Sequence, residues 1–504
     1  MLWLALILPA LPLQLAARGI EHAVPIAIIE GPAQRPVVIH CNELARSAGV
    51  SPGIKLAAAQ ALTGQLVAVE RNEERECEAL DELAAWGYQF SSHVVLQSDG
   101  VLIETGGSQR LFGGRTALDR LINQQLGGIG YRGVTAQAVT PRAARVVALA
   151  RLRGLDLENI VGRLDIERVL APLPLALLEW DEVTTSTLHS LGLATIADVL
   201  TLPRDGLAKR FGAARLTELD RVFGRRADPP LLYEPPARFA SSIELPAELI
   251  ETEQLMFPAR RLLAALEGFL RGRNAGAVEL TFRVKYADRR GEPIPATVFS
   301  LALATPERNA TRLAALLAER ISRVTLPAPA TVLSLSVERI HAFAAINASL
   351  LPQPSELSMD WLRLAETLHA RLGSERVFQL RAVDDHRPER AWMQVPVTPD
   401  ASAGRAPAAP TSVSTSARPL FVLPAPQSLS TSSDQPEYEG VLRLIAGPER
   451  VEAGWWDAHS PAAGRPELAV HRDYFVARND HGQVLWIYRE LTAPRGWYLH
   501  GFFA

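Results

Sequence analysis

The sequence predicts a multidomain α+β protein, and three observations lead to this prediction. The chain has 504 residues, which is more than a single hydrophobic core usually holds. Short segments rich in Val and Ile alternate with segments of helical period in two stretches, 1–157 and 239–345. Between them, residues 164–228 show helical periodicity only. Hydrophobic residues make up 48% and charged residues 21%, a composition typical of folded globular proteins.

In the first stretch, the apolar run Leu2–Leu8 predicts a buried strand followed by a turn. The run could also be a signal peptide, but no positive charge precedes it and Pro9 and Pro12 interrupt it, so a strand is the preferred interpretation. His93–Glu104 is a predicted hairpin that turns at Ser98-Asp99-Gly100. The other predicted strands are 24–30, 36–41, 65–69 and 134–139, and the predicted helices are 42–48, 55–62, 73–88, 116–126 and 142–151. Together these elements predict an α+β unit with a mostly antiparallel sheet.

The helical stretch contains a helix–turn–helix at 188–203, whose tight turn is Leu191-Gly192-Leu193. Glycine lets a backbone approach a ligand closely, and backbone N–H groups before a helix bind phosphates. The cations that follow are Lys209, Arg210, Arg215, Arg221, Arg225 and Arg226. The turn is therefore the strongest predicted DNA contact, and the alternative is a plain packing turn between two helices.

The second mixed stretch, 239–345, follows a Pro-rich tether at 229–238. Its predicted strands include 277–286 and 331–340, and its predicted helices are 255–270 and 309–321. Net charge is −3, so a nucleic-acid surface has to be a local basic patch. Arg283 and Lys285 are candidates for sequence-independent, salt-sensitive phosphate contacts, and an ordinary solvated face is the alternative.

Composition changes again after residue 345. A helix is predicted at 361–372, and residues 396–437 are rich in Pro, Ala, Ser and Thr, which predicts a largely disordered linker. Within that linker, RPLFVLPAP (418–426) is apolar enough to dock on another surface. Residues 438–504 are rich in Trp and Tyr and predict a compact β-rich module. This module is either a docking surface or simply a small core filled by tryptophans.

Two cysteines, Cys41 and Cys77, are too few for a disulfide framework, and they have no zinc-ligand spacing. This usage favours a reducing cytosol. No apolar stretch reaches the roughly 20 residues needed to span a bilayer, so we expect no membrane association.

The stretch VVIHCNELARSAGVSPGIKLAAAQAL (37–62) resembles the fingers signature of the Y-family (UmuC/DinB-type) translesion DNA polymerases. The order of the predicted units is similar to palm, fingers, helix–hairpin–helix thumb and little finger. The resemblance implies the following boundaries: palm 1–9 and 71–157, fingers 10–70, thumb 158–228, tether 229–238, little finger 239–345, a clamp-peptide candidate with a helix at 346–395, linker 396–437, and a C-terminal partner-docking module 438–504.

The resemblance also implies what has become of the polymerase site. Arg46 stands at the position of an Arg that approaches the triphosphate, but Glu43 replaces a nearby Tyr and would repel that ligand. Two-metal chemistry needs several carboxylates, and only Asp99 matches one, because Gly100 follows it and the first strand is apolar. Glu104 matches an acid that is not catalytic. We therefore expect a remnant site without catalysis, metal or cofactor, in which Asp99 is alternatively an ordinary turn residue.

HRPERAW (386–392), RPLFVLPAP and the terminal segment GPERVEAGWW…WYLHGFFA resemble the catalytically silent, ImuB-type branch of this family. The resemblance implies a cytoplasmic, nucleoid-associated bacterial protein of the DNA-damage (SOS) response and mutagenesis. Its implied partners are primer-template DNA, the sliding clamp, an error-prone DnaE-type polymerase and a RecA-like, ImuA-type protein. The clamp-binding candidates are Glu356, Leu357 and Met359. These residues could equally form a hydrophobic staple and cap for the helix that follows.

Three functions remain open at this point. The leading hypothesis is a non-catalytic scaffold in translesion synthesis that binds DNA and recruits partners. The alternative is an active Y-family polymerase whose metal site is rebuilt from Glu21, Asp99 and Glu104. The third is a protein-interaction hub without affinity for DNA, which salt-dependent DNA binding would exclude.

Overall fold

The computed structural model describes the following residues: 1–20, 23–287, 293–343, 354–373, 375–383, 385–395, 418–432, 434–454 and 470–503. The chain forms two compact units, Met1–Pro352 and Gln353–Ala504, which are described separately. Within these ranges, none of the helices combines the length and the apolar character that crossing a membrane requires.

The first 157 residues contain two sheets. In chain order their elements are β1 (Trp3–Ile7), α1 (Leu11–Arg18), β2 (Ile26–Glu30), β3 (Val37–Cys41), α2 (Glu43–Ser47), α3 (Leu56–Leu62), β4 (Val67–Glu70), α4 (Glu73–Gly87), β5 (Val94–Gln97), β6 (Gly100–Glu104), α5 (Arg115–Gly128), β7 (Val134–Ala138) and α6 (Pro141–Leu152). The palm-like sheet has the order β5-β6-β1-β7 and is antiparallel throughout, which confirms the predicted sheet type. The fingers-like sheet, β3-β2-β4, pairs β2 and β4 in parallel.

Strand β1 is apolar and buried along its whole length, as predicted. Its register with β6 places Ile7 opposite Gly100, and the Leu8 N–H donates to the Asp99 carbonyl at 2.8 Å. Only a turn is predicted after β1, but the structure also has a helix there, α1, which begins at Leu11. Pro12 does not prevent this helix, since the first turn of a helix needs no N–H donor at that position.

Helices follow through residue 222, and the predicted all-helical stretch is confirmed. They are α7 (Asp165–Leu170), a 3₁₀ helix (Leu175–Leu178), α8 (Glu182–Ser190), α9 (Ile196–Thr201), α10 (Arg204–Phe211) and α11 (Ala213–Val222). These thumb-like helices share one hydrophobic core with α6, in which Val146 and Val147 pack with Leu177 and Val222. The thumb-like helices are therefore anchored on the palm-like sheet by apolar burial.

The next elements form the little-finger-like domain. They are β8 (Phe239–Leu249), a 3₁₀ helix (Thr252–Leu255), α12 (Met256–Gly272), β9 (Ala275–Tyr286), β10 (Thr297–Glu307), α13 (Ala310–Ile321), β11 (Ala330–Val337) and β12 (Ile340–Ala342). The antiparallel sheet has the order β10-β9-β11-β8, and β12 pairs with β9. The strand predicted at 331–340 is thus two strands. Helices α12 and α13 cover one face, with Leu266 and Leu317 fully buried.

The little-finger-like domain meets α4 and α1 with almost no space between the backbones. A Cβ atom on Gly268 of α12 would collide with Trp86 Cδ1, and one on Gly272 would lie 3.0 Å from the backbone nitrogen of Gln89. A Cβ on Gly19 would collide with the carbonyl oxygen of Glu244 in β8. Arg261 adds hydrogen bonds to the carbonyl oxygens that end α1. This junction depends on residues without side chains.

The described residues of the second unit form one α-helix, one 3₁₀ helix and several antiparallel strands. They are α14 (Pro354–Leu372), β13 (Gln379–Ala382), a 3₁₀ helix (Pro388–Arg390), β14 (Trp392–Val395), β15 (Phe421–Ser428), β16 (Ser430–Ser432), β17 (Gln435–Glu437), β18 (Arg443–Ala453), β19 (Val470–Arg478), β20 (Val484–Glu490) and β21 (Gly496–Phe502). The C-terminal sheet has the order β15-β21-β20-β19-β18, which confirms the predicted β-rich character.

Two expectations for this unit need correction. The predicted linker ran to residue 437, but β15 lies within it, because the apolar Phe421 and Val422 pair with β21. Residues 396–417 lie outside the described ranges. Helix α14 begins at Pro354 and not at 361, since Pro is compatible with a helical first turn.

Candidate functional site

Asp99, the predicted remnant of the metal site, is held by an arginine. Arg145 Nη1 donates to Asp99 Oδ1 at 2.6 Å, and Nη2 donates to Oδ2 at 3.2 Å. The same guanidinium binds Glu179 through Nε at 2.7 Å and Nη2 at 3.0 Å. Burial by itself lowers the pKa of Arg145, but the hydrogen bonds to Glu179 and Asp99 outweigh it and hold that pKa above its usual value. Both oxygens of Asp99 therefore already have a cationic partner.

Glu104 lies at the other end of β6 and has a different role. Its carboxylate accepts the backbone N–H groups of Leu2 at 3.0 Å, Gly106 at 3.0 Å and Gly107 at 3.3 Å. Five residues of extended strand separate it from Asp99, a distance of about 16 Å at the usual rise per residue. Two catalytic metals lie about 4 Å apart, so Asp99 and Glu104 do not fit one shared pair. Glu21 lies outside the described residues, and within the described ranges His, Cys, Asp and Glu side chains form no group of three suited to a metal.

The triphosphate remnant Arg46 is exposed on α2. Its Nη1 donates to Glu43 Oε2 at 3.2 Å. Glu43, which stands where the resembled family has a Tyr, is therefore the ion-pair partner of Arg46. Asn42 caps this short helix by accepting the N–H of Ala45. An incoming triphosphate would have to break the Arg46–Glu43 pair in order to use Arg46.

The thumb-like turn has the predicted conformation, with Gly192 at a φ of 79° between α8 and α9. Its N–H groups are not available as expected, however. Leu191 and Leu193 donate to the carbonyl of Leu188, and Gly192 donates to that of His189. Asp198 accepts the N–H groups of Ala194 at 3.0 Å and Thr195 at 2.8 Å. Contact of Leu191, Gly192 and Leu193 with DNA stays a prediction, and it requires these partners to be displaced.

The pKa of Asp198 is held below its usual value, mainly by the backbone and hydroxyl hydrogen bonds of Thr195 and by the N–H of Ala194. The residue is therefore charged at neutral pH and repels a phosphate at this turn. In this respect the thumb-like turn differs from an anion site, whose N–H groups point at the ligand.

The thumb-like cations are of two kinds. Arg215 is paired with Asp181 and Glu218, Arg221 with Asp228, and Arg225 with Glu167. Arg226 donates to the hydroxyl of Thr217. Lys209 and Arg210, at the end of α10, are exposed and have no ion pair with any described residue. Of the predicted set, these two are the most available to a phosphate.

The little-finger-like sheet exposes one face, and both predicted cations lie on it. Arg283 and Lys285 alternate with the buried Phe282 and Val284 along β9, the central strand of the sheet. Neither cation has an ion pair with a described residue. Long cationic side chains on the sheet face opposite α12 and α13 can contact successive phosphates without reading bases.

Sequence reasoning missed the hydroxyl groups beside these cations. Arg283 lies between Val298 and Ser334 in neighbouring strands, and Thr281 lies between Ser300 and Ser336. Hydroxyl side chains donate to phosphate oxygens and are short enough to let a backbone approach. The alternation Leu333-Ser334-Leu335-Ser336 carries this signal, because period-2 alternation places the serines on the solvent face.

In the second unit, the clamp-binding candidates Glu356, Leu357 and Met359 lie in the first turns of α14, and their side chains are outside the described residues.

Trp486 stacks on Tyr474 with ring centroids 4.2 Å apart, and Tyr474 contacts His500 Nδ1 at 2.8 Å. Burial lowers the pKa of His500 to about 4, against the effect of Glu389. Trp486 therefore fills a core, while Trp455 and Trp456 lie outside the described ranges.

The chain is similar to known proteins in both sequence and structure comparisons. Residues 14–148 match the model of the impB/mucB/samB family. The chain is 28% identical over 475 residues to Protein ImuB of Caulobacter vibrioides, in strains NA1000 / CB15N and ATCC 19089 / CIP 103742 / CB 15, covering 90% of this chain and 100% of that protein. Similar solved structures include a Y-family DNA polymerase chimera of Dbh and Dpo4 (14% identity, 68% of this chain, 99% of that chain, TM-score 0.39) and DinB from Sulfolobus solfataricus (14%, 68%, 100%, TM-score 0.36).

The family match covers residues 14–148 and supports the resemblance to UmuC-type, Y-family proteins that the fingers signature predicted. The similarity over nine-tenths of the chain supports its place in the ImuB branch of that family.

Proposed function

We propose that the protein is a non-catalytic, Y-family polymerase-like scaffold in damage-induced translesion synthesis and mutagenesis. It holds primer-template DNA and links the sliding clamp to an error-prone DnaE-type polymerase and a RecA-like, ImuA-type protein. It acts in the cytoplasm on the nucleoid. One contrast supports the proposal most directly: Asp99 is bound on both oxygens by Arg145, while Arg283 and Lys285 stay exposed and unpaired by described residues.

The absence of catalysis is supported by the partners of each remnant. Metal-ion catalysis of phosphoryl transfer requires carboxylates that converge on two cations. Here one carboxylate binds a guanidinium and the other binds three backbone N–H groups about 16 Å along the strand. Arg46, the triphosphate remnant, is bound by Glu43.

DNA binding is proposed for the exposed face of the little-finger-like sheet, with Arg283 and Lys285 as its cations. The thumb-like helices contribute through Lys209 and Arg210, and more weakly through Arg225 and Arg226, which already have partners within the chain. The turn at Leu191, Gly192 and Leu193 contributes once its N–H groups leave the carbonyls of Leu188 and His189, and once the nearby Asp198 is displaced from Ala194 and Thr195. Binding of this kind depends on backbone charge and is independent of base sequence.

Partner recruitment is proposed for the unit Gln353–Ala504. Among its described residues, the C-terminal sheet is fixed by aromatic stacking, which suits a rigid docking surface. Glu356, Leu357 and Met359 are the proposed clamp contacts. The relative that supports this branch carries the name Protein ImuB.

The test of the central proposal is primer extension with Mg²⁺ or Mn²⁺ on DNA that the purified protein binds. The expected result is no nucleotide incorporation at protein concentrations that saturate the DNA. An Asp99→Asn variant is the control, because it removes the remnant carboxylate and keeps its shape. Incorporation that disappears in this variant would refute the scaffold proposal and establish a rebuilt metal site.

Recruitment is tested by removing the whole second unit, residues 353–504. A cut at residue 437 would leave β15 without its partner strand β21, so it is a poorer truncation. The expected result is unchanged DNA affinity and loss of clamp and DnaE-type polymerase from pull-downs. If the truncated protein still retains both partners, recruitment belongs to residues 1–352.

A further inference from the structure

One arginine connects the polymerase remnant with the thumb-like helices. Arg145 lies on α6, which packs against β1 and β7 of the palm-like sheet. Its guanidinium makes four hydrogen bonds, two to Asp99 in the hairpin turn and two to Glu179 beyond the 3₁₀ helix. Asp99 is 46 residues away in the chain and Glu179 is 34 residues away. The Arg145 side chain is 17% exposed, so water screens these ion pairs only in part.

The backbone at Glu179 is unusual for its residue type. Its φ is 53° and its ψ is 36°, the left-handed conformation that glycine adopts without strain. A residue with a large side chain keeps this conformation only where its surroundings fix it. Glu179 is fixed by the two bonds to Arg145, and its neighbour Trp180 is buried in the core shared by α6 and the thumb-like helices.

A divalent cation and a guanidinium satisfy a carboxylate in different ways. A metal ion accepts oxygen ligands from several carboxylates and exchanges with solvent. A guanidinium offers five N–H donors in one plane, stays charged at every physiological pH, and is covalently attached to the chain. Arg145 uses this geometry to face two carboxylates at once. Without it, Asp99 and Glu179 would face each other as unpaired negative charges.

We propose that Arg145 is an internal cation that takes the place of a divalent metal beside Asp99, and that through Glu179 it holds the thumb-like helices on the palm-like sheet. Asp99 is then part of a permanent domain tie, and its charge is used for structure. The inference goes beyond the scaffold function and does not depend on it, since it concerns the folded chain in the absence of DNA and nucleotide.

The experiment is thermal unfolding of the full-length Arg145→Ala variant with and without 10 mM MnCl₂. In the absence of Mn²⁺, the variant should melt about 5 °C below the unmodified protein, because two carboxylates lose their common partner. Mn²⁺ should then raise its melting temperature by about 3 °C, the shift expected when the two freed carboxylates bind the ion with a dissociation constant of about 1 mM. The unmodified protein should not respond to Mn²⁺.

Three further variants make the result specific. Arg142→Ala lies on the same helix and breaks an ion pair with Asp228, so it should be destabilised without gaining a response to Mn²⁺. The double variant Asp99→Asn, Arg145→Ala should lose the response, because one of the two ligands is gone. Arg145→Lys keeps the charge, and its melting temperature should lie between those of Arg145→Ala and the unmodified protein. This variant preserves the test if Arg145→Ala does not fold.

The stability of the Arg145→Ala variant and its response to Mn²⁺ decide the proposal. A response to Mn²⁺ that requires both the loss of Arg145 and the presence of Asp99 supports the proposal. An Arg145→Ala variant as stable as the unmodified protein overturns it, as does a destabilised variant that Mn²⁺ does not affect.

Discussion

The palm-like sheet and the little-finger-like sheet use charge in opposite ways. On the palm-like sheet, Asp99 and Glu104 each have hydrogen-bond partners for both carboxylate oxygens, from Arg145 or from backbone N–H groups. On the little-finger-like sheet, Arg283 and Lys285 project from β9 without an ion pair to any described residue. The two carboxylates of the palm-like sheet are thus bonded within the chain, whereas the two cations of the little-finger-like sheet are exposed to solvent.

This difference separates two functions that an active polymerase combines. Catalysis needs carboxylates that are free to bind metals, whereas grip on DNA needs cations that are free to bind phosphates. In this chain the first requirement is not met by the described carboxylates, while the second is met on a sheet face packed on its other side by α12 and α13. Under the proposed function, the fold binds DNA although its remnant carboxylates have structural partners.

The largest expected effect is on the little-finger-like sheet. The double variant Arg283→Gln, Lys285→Gln should weaken binding to primer-template DNA by about 60-fold at 0.1 M salt, because each lost phosphate contact lowers affinity by about eightfold there. The slope of log affinity against log salt concentration should fall by about two. Fluorescence anisotropy over a salt series measures both quantities.

A matched control is Glu279→Gln, an exposed acid on the same strand and face. It should leave affinity unchanged or raise it slightly, since it removes a charge that repels phosphate. An unchanged salt slope in the Arg283→Gln, Lys285→Gln variant would end the assignment of DNA binding to this sheet.

A smaller effect is expected at the thumb-like helices. The double variant Arg225→Gln, Arg226→Gln should weaken DNA binding by about threefold, well below the eightfold for each free cation, because Arg225 is already paired with Glu167. Competition binding against the Arg283→Gln, Lys285→Gln variant gives the ratio of the two losses in DNA affinity. A loss equal to that of the sheet variant would show that the ion pairs of the thumb-like helices open on DNA.

The next effect has the opposite sign. Asp198→Ala should raise DNA affinity by about twofold, since it removes a negative charge from the turn and frees the N–H groups of Ala194 and Thr195 for a phosphate. The salt slope should become steeper by less than one. A decrease in affinity would mean that the capped turn itself is needed for binding.

The smallest effect on DNA is expected at Glu104. Glu104→Gln should leave DNA affinity unchanged, yet destabilise the fold by about 2 kcal/mol, because an amide cannot accept all three N–H groups that the buried carboxylate accepts. Urea unfolding followed by tryptophan fluorescence measures the change. Equal stability would show that these three hydrogen bonds contribute little.

Local pattern was enough to predict much of the fold. Helices α4, α6 and α12 have a clear helical period with a buried face, and β1 is a continuous apolar run. Helix α1 was missed because the residues after β1 were assigned to a turn. Strand β15 was assigned to a linker because its surroundings are rich in Pro and Ser.

The site was less predictable, for a physical reason. That Asp99 stands alone among the expected metal ligands follows from the sequence. Its partners do not, because Arg145 and Asp99 are brought together by packing between elements 46 residues apart. Glu43 and Asp198 differ in this respect, because their partners lie only three or four residues away and a local pattern could have indicated them. Arg283 and Lys285 were found from their charge, whereas the serines beside them needed the strand register.

The glycines between the little-finger-like domain and the rest of the first unit limit how this protein can be rebuilt. Gly268, Gly272 and Gly19 leave no room for a side chain against Trp86, Gln89 and Glu244. The little-finger-like domain therefore cannot be exchanged freely for a homologous domain. A grafted domain would fit only if it had glycine at the positions of Gly268 and Gly272. Its first strand would also have to bring its backbone against Gly19, as Glu244 does here.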